Sequence, residues 1–219
     1  MKSGVIILSG GLDSTTLLHQ LVQEGWQLKA LSFDYGQKHS KELECAALQA
    51  KKFNIEHEIC SIDFMNDLFK SNLLKSGEAI PEGHYEDESM KQTVVPNRNM
   101  ILISIAAGYA LSNEATHLFY GAHAGDHTIY PDCRPEFIEQ LAKTLELCDW
   151  NELALQAPFQ DLDKAQIVKI GHDLDVDFTQ TWTCYKGLEK ACGVCGSCTE
   201  RIEAFELNGY TDPLPYQRG

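Results

Sequence analysis

The sequence lacks a hydrophobic run long enough to cross a lipid bilayer. Its longest apolar stretch, residues 100–111, contains Ser104 and Gly108 and is shorter than the roughly 20 residues that a membrane-spanning helix needs. The first residues also lack the charged and apolar regions of a secretory signal peptide. We therefore expect a soluble cytoplasmic protein that makes no contact with membranes.

Basic residues are scarce. The 219-residue chain has 18 Lys and Arg against 32 Asp and Glu, which gives a net charge of −14. Proteins that bind nucleic acids draw most of their affinity from cationic contacts with phosphates, so this balance counts against a direct nucleic-acid partner. We expect small-molecule substrates instead. A hydrophobic content of 43% is enough for the core of one full-sized domain.

The glycine-rich segment at residues 9–14 has neither of two common phosphate-binding patterns, G-x-x-x-x-G-K-[ST] and G-x-G-x-x-G. It reads S-G-G-L-D-S and lies between an apolar run, residues 5–8, and a helical pattern. A strand, a glycine turn and a helix in this order leave unpaired backbone N–H groups at the positive end of the helix dipole. The segment is predicted to bind an anion, with Ser9 and Ser14 as hydroxyl donors and Asp13 as a Mg²⁺ ligand or helix cap. A turn whose glycines serve only packing is the alternative.

Strand and helix patterns alternate along the chain. The predicted strands cover residues 3–8, 27–33, 56–61, 117–120 and 153–157, and helical patterns lie between and after them. This alternation predicts an α/β fold with a doubly wound, mostly parallel five-stranded sheet. Ligands of such sheets bind at the carboxyl ends of the strands. Two polar segments follow strands at that edge, residues 34–39 and 121–134, and both are candidates for a substrate pocket.

Individual polar residues near this edge are open to more than one interpretation. His39 either contacts a ligand or lies in solvent. Arg98 begins an apolar helix, where a cation opposes the dipole, so either an anionic ligand or a surface ion pair must favour it. His123 and His127 are close enough for a metal site, but no clear helix aligns them. Lys164 contacts either phosphates or solvent.

Residues 63–95 have the character of an insertion. After a short helical pattern, residues 76–93 are rich in Gly, Pro, Glu and Asp and show no periodicity. Loops of this length are usually functional lids or disordered segments. We expect a mobile segment that becomes ordered when a ligand binds.

Four of the eight cysteines are concentrated near the carboxyl terminus. Cys184, Cys192, Cys195 and Cys198 have the spacing C-x7-C-x2-C-x2-C, and in a cytosolic chain such a group is more often a metal site than a set of disulfides. Four thiolates complete the tetrahedral shell of Zn²⁺ and leave no open position. We predict one structural zinc ion per chain, with free or redox-active thiols as the alternative. The predicted organisation is an α/β domain at 1–183 and a zinc-binding segment at 184–219.

Six motifs occur in order along nearly the whole chain: S-G-G-L-D-S-T-T, F-D-Y-G-Q-K-H, V-P-N-R-N, Y-P-D-C-R-P-E-F, T-W-T-C-Y-K-G and C-G-V-C-G-S-C. The first resembles the pyrophosphate-binding loop of the N-type ATP pyrophosphatases, and the set resembles the 7-cyano-7-deazaguanine synthase family. Asn97 stands where that family often has glycine, and residues 121–127 vary among its members. The resemblance implies an adenine nucleotide alpha hydrolase-like fold and a homodimer.

The same resemblance implies an ATP-dependent carbon–nitrogen ligase of queuosine or deazapurine biosynthesis. Such an enzyme converts 7-carboxy-7-deazaguanine and ammonia to the nitrile through an adenylated carboxylate and an amide. The implied site for ATP and Mg²⁺ comprises Leu8, Ser9, Gly10, Gly11, Leu12, Asp13, Ser14, Thr15, Thr16, Leu17 and Leu18. Asp13, Ser14 and Arg98 are the expected catalytic residues. The expected substrate contacts are His39, Arg98, Asp126, Asp132 and Arg134.

Two other functions are compatible with parts of this pattern. A tRNA thiolase also pairs such a loop with cysteines, but it needs a basic surface and a reactive cysteine free of structural metal. A nucleotide sensor without catalytic activity shares the fold, but it does not need Asp13 or the polar residues at 121–134.

Overall fold

A parallel five-stranded sheet lies at the centre of the protein. The computed structural model describes residues 2–217, so Met1, Arg218 and Gly219, at the outer ends of the two predicted segments, lie outside the described residues. The strands are β1 (Ser3–Ile7), β2 (Gln27–Asp34), β3 (Glu56–Ser61), β4 (His117–Phe119) and β5 (Ala154–Gln156). Their order is β3-β2-β1-β4-β5, and every neighbouring pair is parallel. The predicted doubly wound α/β fold is confirmed.

Helices cover both faces of the sheet and create two apolar cores. The helices are α1 (Leu12–Gln23), α2 (Lys41–Lys52), α3 (Phe64–Leu68), α4 (Arg98–Ser112), α5 (Pro135–Leu145), α6 (Lys164–Asp173) and α7 (Gly196–Leu207). Val5 and Ile6 of β1 are fully buried in different cores, because successive strand side chains point to opposite faces. One core includes Ile103 of α4, and the other includes Leu17 of α1 and Phe205 of α7. None of the helices within residues 2–217 combines the length and apolar character needed to cross a bilayer.

Helix α1 begins inside the S-G-G-L-D-S segment. Its first helical residue is Leu12, so Asp13 and Ser14 lie within the first turn. Asp13 is therefore not the helix cap that the sequence allowed. The cap position belongs to Gly11, which has no side chain to satisfy the first N–H groups.

The segment at residues 63–95 is packed against the domain rather than extended from it. It contains α3 and a short 3₁₀ helix, Glu88–Thr93. Leu73, Leu74 and Met90 are almost completely buried. The sequence analysis missed this packing because these buried side chains follow no helical or strand period. Ordering of the segment on ligand binding stays a prediction.

The carboxyl-terminal helix is anchored by a buried arginine. Arg201 of α7 is 1% exposed, and its Nε–H donates to Asp212 Oδ2 at 2.8 Å. Its guanidinium also donates to Thr181 Oγ1 and to the Phe178 carbonyl oxygen. These bonds satisfy the buried charge. They also attach α7 to the segment that precedes it in the sequence, at Phe178 and Thr181.

Candidate active site

The loop after β1 is shaped by its own serines. The Gly11 N–H donates to Ser9 Oγ at 3.1 Å, and the Ser9 N–H donates to Ser14 Oγ at 3.2 Å. The two hydroxyl oxygens lie 2.9 Å apart. These bonds hold the loop open at the amino end of α1, where the first N–H groups have no intrahelical acceptor. The arrangement can bind an anion there.

The packing of the loop requires glycine at position 10. Its φ angle is +81°, and a Cβ at this position would lie 2.0 Å from the carbonyl oxygen of Glu42 in α2. Its own carbonyl oxygen accepts a hydrogen bond from the Trp182 N–H at 3.0 Å. A residue with a side chain would both strain the backbone and displace α2. The packing interpretation of the glycines therefore holds for Gly10.

Asp13 is paired with a lysine from a distant part of the chain. Lys164 Nζ donates to both carboxylate oxygens of Asp13, at 2.7 and 2.9 Å. Burial opposes ionisation of Asp13, but the Lys164 charge and hydrogen bonds outweigh it and hold the pKa of the carboxyl below its usual value. From the sequence, Lys164 is expected to contact either phosphates or solvent. It is itself buried, which excludes the solvent-exposed position.

Glu200 of α7 is a second carboxylate beside Lys164. Its Oε2 lies 3.4 Å from Lys164 Nζ, and its Oε1 lies 3.9 Å from His123 Nε2. Burial raises the pKa of the Glu200 carboxyl, and the Lys164 charge offsets only part of this. No motif in the sequence marks Glu200, and only the packing of α7 beside α6 brings it to the site.

His123 has protein partners on both ring nitrogens. Nδ1 accepts from the Gly125 N–H at 3.1 Å, and Nε2 lies 3.5 Å from Asp126 Oδ1. The same Asp126 oxygen accepts from the Tyr85 hydroxyl at 2.8 Å. Neither His123 nor His127 belongs to a group of potential metal ligands among residues 2–217. The structure gives no support to a histidine metal site.

Arg98 lies at the other end of the same cavity and has no carboxylate within 4.0 Å among the described residues. Its guanidinium carbon is 5.9 Å from the centre of the Tyr35 ring and 5.8 Å from that of Tyr130. Its Nε–H donates to Asn99 Oδ1 at 3.3 Å. The surface ion pair considered for Arg98 is therefore not formed. A half-buried cation in this setting is suited to an anionic ligand.

One cavity of about 220 Å³ joins these groups. Nine of the predicted site residues line it: Leu8, Ser9, Gly11, Leu12, Asp13, Ser14, His39, Arg98 and Asp126. Five tyrosines that were not among the predicted site residues line it as well: Tyr35, Tyr85, Tyr120, Tyr130 and Tyr185. The predicted residues Thr15, Thr16, Leu17 and Leu18 are instead buried within α1.

The structure places Asp132 and Arg134 outside this cavity lining. Asp132 Oδ2 accepts from the Asn99 N–H at 2.9 Å, so it satisfies a first-turn donor of α4. Arg134 is exposed, and its Nε–H donates to the His127 carbonyl oxygen at 2.8 Å. Both side chains help to hold the surrounding loops, and their contact with the substrate stays a prediction.

The four carboxyl-terminal cysteines form one buried cluster. Their Sγ atoms all lie within 4.8 Å of one another, and none forms a disulfide. Backbone N–H groups point at two of the sulfurs: Cys192 N–H at Cys184 Sγ, 3.3 Å, and Cys195 N–H at Cys192 Sγ, 3.3 Å. Four sulfurs bound tetrahedrally to one Zn²⁺ are separated by about 3.8 Å. The cluster therefore fits a closed tetrahedral metal site.

A family model described as queuosine biosynthesis protein QueC matches residues 3–209. The chain belongs to the QueC family. A 7-cyano-7-deazaguanine synthase from Methanoregula boonei is 54% identical over 97% of this chain and 98% of its own length. One from Caldicellulosiruptor saccharolyticus is 56% identical over 97% of this chain and 95% of its own length. This QueC-family chain is therefore an enzyme of the synthase type.

Solved structures with the same fold are more distant. The NMN synthetase from Francisella tularensis gives a TM-score of 0.52 at 17% identity, covering 96% of this chain and 78% of that one. A 4-thiouridine synthetase, solved as an RNA complex with bound ATP, gives 0.53 at 14% identity, covering 82% and 42%. At these identities the likeness shows the fold alone. It agrees with the ATP pyrophosphatase fold implied for this QueC-family member.

Proposed function

We propose that the protein is an ATP-dependent ligase that converts 7-carboxy-7-deazaguanine and ammonia to 7-cyano-7-deazaguanine. In this reaction ATP activates the carboxylate as an acyl adenylate, ammonia gives the amide, and a second activation removes the amide oxygen. One observation carries the proposal: the anion site at α1 and the unpaired cation of Arg98 face a single cavity. The names of the relatives support the same substrate.

The α1 end of the cavity is suited to the phosphates of ATP. Free N–H groups of the first turn and the hydroxyls of Ser9 and Ser14 are donors for a pyrophosphate group. Asp13 would hold Mg²⁺, which supplies positive charge against the phosphates when bound. Lys164 donates a hydrogen bond to Asp13, so its positive charge would lie beside the pyrophosphate leaving group. Ser14, together with Asp13, is proposed to stabilise charge that develops there.

The Arg98 end is suited to a flat base that carries a carboxylate. The guanidinium is a bidentate partner for the substrate carboxylate. Tyr35, Tyr85 and Tyr130 are buried around this space and offer ring faces on which a deazaguanine can stack. Asp126 would accept hydrogen bonds from the N–H groups of the guanine edge. Apolar walls around an acyl adenylate also exclude the water that would hydrolyse it.

Cys133 bears on the thiolase alternative. It lines the cavity, where its sulfur lies 3.2 Å from Asn99 Nδ2 and 3.3 Å from the Tyr120 hydroxyl. Burial and the nearby Asp126 charge hold the pKa of the Cys133 thiol well above its usual value. A thiolase needs a thiolate nucleophile, and the acidic charge of the chain is unfavourable for tRNA. Both observations favour the ligase.

We further propose that residues 184–219 form a zinc-binding segment on the 1–183 domain. The metal would be structural, because four cysteines leave no coordination site for substrate. The donor set and the sulfur geometry support Zn²⁺ over Mg²⁺ at this position. The homodimer and the cytoplasmic location stay predictions.

A product assay by mass spectrometry tests the proposal. Purified protein would be incubated with Mg-ATP, ammonium and 7-carboxy-7-deazaguanine, beside the variant Asp13→Ala. We expect nitrile and AMP from the natural enzyme and loss of both in the variant. Release of AMP in the absence of any carboxylate would favour the sensor or a simple pyrophosphatase. Binding of ATP without formation of product would favour the thiolase.

A further inference from the structure

His39 has an environment that the proposed roles above do not use. It is 4% exposed, lines the cavity, and stands 5.5 Å from the Tyr185 ring, measured between ring centres. Its Nε2 lies 3.4 Å from Glu42 Oε2. Its Nδ1 is buried and has no hydrogen-bond partner among the described residues. A buried imidazole with one nitrogen beside a carboxylate and the other free is the arrangement of an oriented base.

The fold holds the two partners firmly. The chain leaves β2 through a turn at Gly36, whose φ angle is +79°, and reaches His39 just before α2. Gln37 is fully buried, and its Nε2–H donates to the Phe33 carbonyl oxygen at 3.0 Å and to Glu42 Oε1 at 3.2 Å. Glu42 is therefore fixed through both oxygens, one on Gln37 and one beside His39.

The Glu42 carboxylate determines which ring nitrogen carries the proton. A carboxylate beside Nε2 favours the N–H on Nε2 and leaves the lone pair on Nδ1. The pair can therefore accept a proton from a ligand that reaches Nδ1, an atom that neighbouring groups cover in this structure.

Other polar groups of the cavity are less suited to that task. Both ring nitrogens of His123 already have partners. Lys164 is bound to Asp13, and the Asp13 and Glu200 charges hold its pKa above the usual value in spite of burial. The thiol of Cys133 is held neutral, because burial raises its pKa.

Resting on the proposed function, we infer that His39 is the general base for the nitrogen nucleophile, with Glu42 as its positioning residue. Ammonia forms the new C–N bond at the carbonyl carbon of the acyl adenylate, and AMP leaves with the electrons of the broken C–O bond. The attacking nitrogen must lose a proton for a neutral amide to result, and His39 Nδ1 receives it. Once His39 has passed this proton to solvent, it can receive in turn the two protons that the amide nitrogen must lose as the second C–O bond to AMP breaks and the nitrile forms.

The two half-reactions separate this role from substrate binding. Adenylation of the carboxylate moves no nitrogen proton, and it is measured as carboxylate-dependent exchange of labelled pyrophosphate into ATP. Amide formation is measured by mass spectrometry after ammonium is added. We expect His39→Ala to keep exchange within about threefold of the natural enzyme and to slow amide formation by about 10²–10⁴-fold. Added imidazole should restore part of the lost amide formation.

Two substitutions in α2 test the positioning residue. Glu42→Gln keeps the shape of the side chain but removes its charge, and it should slow amide formation by about 10-fold while exchange continues. Glu44→Gln is the matched control, because Glu44 lies in the same first turn and is exposed. It should leave both half-reactions unchanged.

The outcomes are distinguishable. Loss of exchange and amide formation to the same extent in His39→Ala would assign His39 to binding or folding and overturn the inference. Undiminished amide formation in that variant would overturn it as well. If the natural enzyme shows no carboxylate-dependent exchange, the proposed function itself fails, and the inference fails with it.

Discussion

The two ends of the cavity are built in different ways. The proposed nucleotide end centres on one short loop, residues 9–14, whose serines bond to each other, while Gly10 also packs against Glu42 of α2 and accepts from the Trp182 N–H. The substrate end combines Tyr35, Tyr85, Arg98 and Tyr185, which lie far apart in the sequence. The comparison teaches that the serine bonds of a short loop follow from neighbouring residues, whereas the opposite wall of the cavity depends on the packing of several elements.

The two ends also differ in charge compensation. Asp13 at the nucleotide end is neutralised by Lys164, which is neutralised in turn by Glu200. Arg98 at the substrate end has no such partner within ion-pair distance in residues 2–217. An anionic substrate therefore adds to the stability of the substrate end, while Mg-ATP must replace contacts that exist already.

Loss of the cysteine cluster should have the largest effect, and it should act on the substrate end. Tyr185 follows a cluster cysteine, and the Tyr85 backbone packs against Gly196, where a Cβ would lie 3.1 Å from Tyr85 Cα. Metal binding contributes on the order of 10 kcal/mol to folding of such segments. We expect Cys195→Ser to lose its metal and its substrate binding, with α7 still held by Arg201.

Elemental analysis and hydrogen exchange would check this prediction. Exchange protection should fall around residues 184–198 and much less in the loop at 9–14. Cys148→Ser is the control, because Cys148 is exposed and outside the cluster. A metal-free Cys195→Ser protein that binds the deazaguanine normally would contradict the dependence of the substrate end on the cluster.

Gly10→Ala should distort the proposed nucleotide end, although it adds only one methyl group. The added Cβ meets the Glu42 carbonyl oxygen and must adopt a left-handed backbone, which together cost about 3–5 kcal/mol. Gly25→Ala is a matched control with the same φ of +81° but open space around it, and about 1 kcal/mol is expected. Chemical denaturation of both variants measures the difference. Equal losses of unfolding free energy in the two variants would mean that contact with α2 is not the reason for glycine at position 10.

Arg98→Met should affect the substrate end alone. Loss of a charge-assisted hydrogen bond to the substrate carboxylate should lower kcat/KM for the deazaguanine by about 100-fold, or about 2.7 kcal/mol. The KM for ATP should stay nearly constant. Arg134→Met is the control, because this exposed arginine contacts only a neighbouring carbonyl group in the described hydrogen bonds. A large loss in the Arg134 variant would restore the predicted substrate contact for that residue.

Glu200→Gln should have the smallest effect and act on the nucleotide end. Without the Glu200 charge, Lys164 pairs with Asp13 alone, and Asp13 becomes less available to Mg²⁺. We expect the KM for Mg-ATP to rise about 10-fold, with kcat changed less. Glu203→Gln on the same helix is the control, since Glu203 is half exposed and pairs with His84. A fall in kcat at unchanged KM would contradict this role.

The sequence predicted the features that depend on near neighbours. Apolar runs and helical spacing marked the strands and helices, because periodicity reflects which face of an element is buried. The cysteine spacing marked a cluster that the structure confirms. Asp132 shows the limit of this reasoning. Its polar loop predicted a substrate contact, which stays untested, and no sequence pattern indicated that its Oδ2 accepts from the Asn99 N–H of α4.

The sequence by itself therefore determined the α/β fold, the glycine loop after β1 and the composition of the cysteine cluster, since each follows from local patterns and their order along the chain. Only the tertiary structure decided that Lys164 lies between Asp13 and Glu200, that Tyr35 and Tyr130 lie beside Arg98, and that His39 is buried in the cavity wall. The physical reason is that side-chain contacts between distant segments depend on how helices pack on the sheet. That packing cannot be predicted from the spacing of residues within one segment of the sequence.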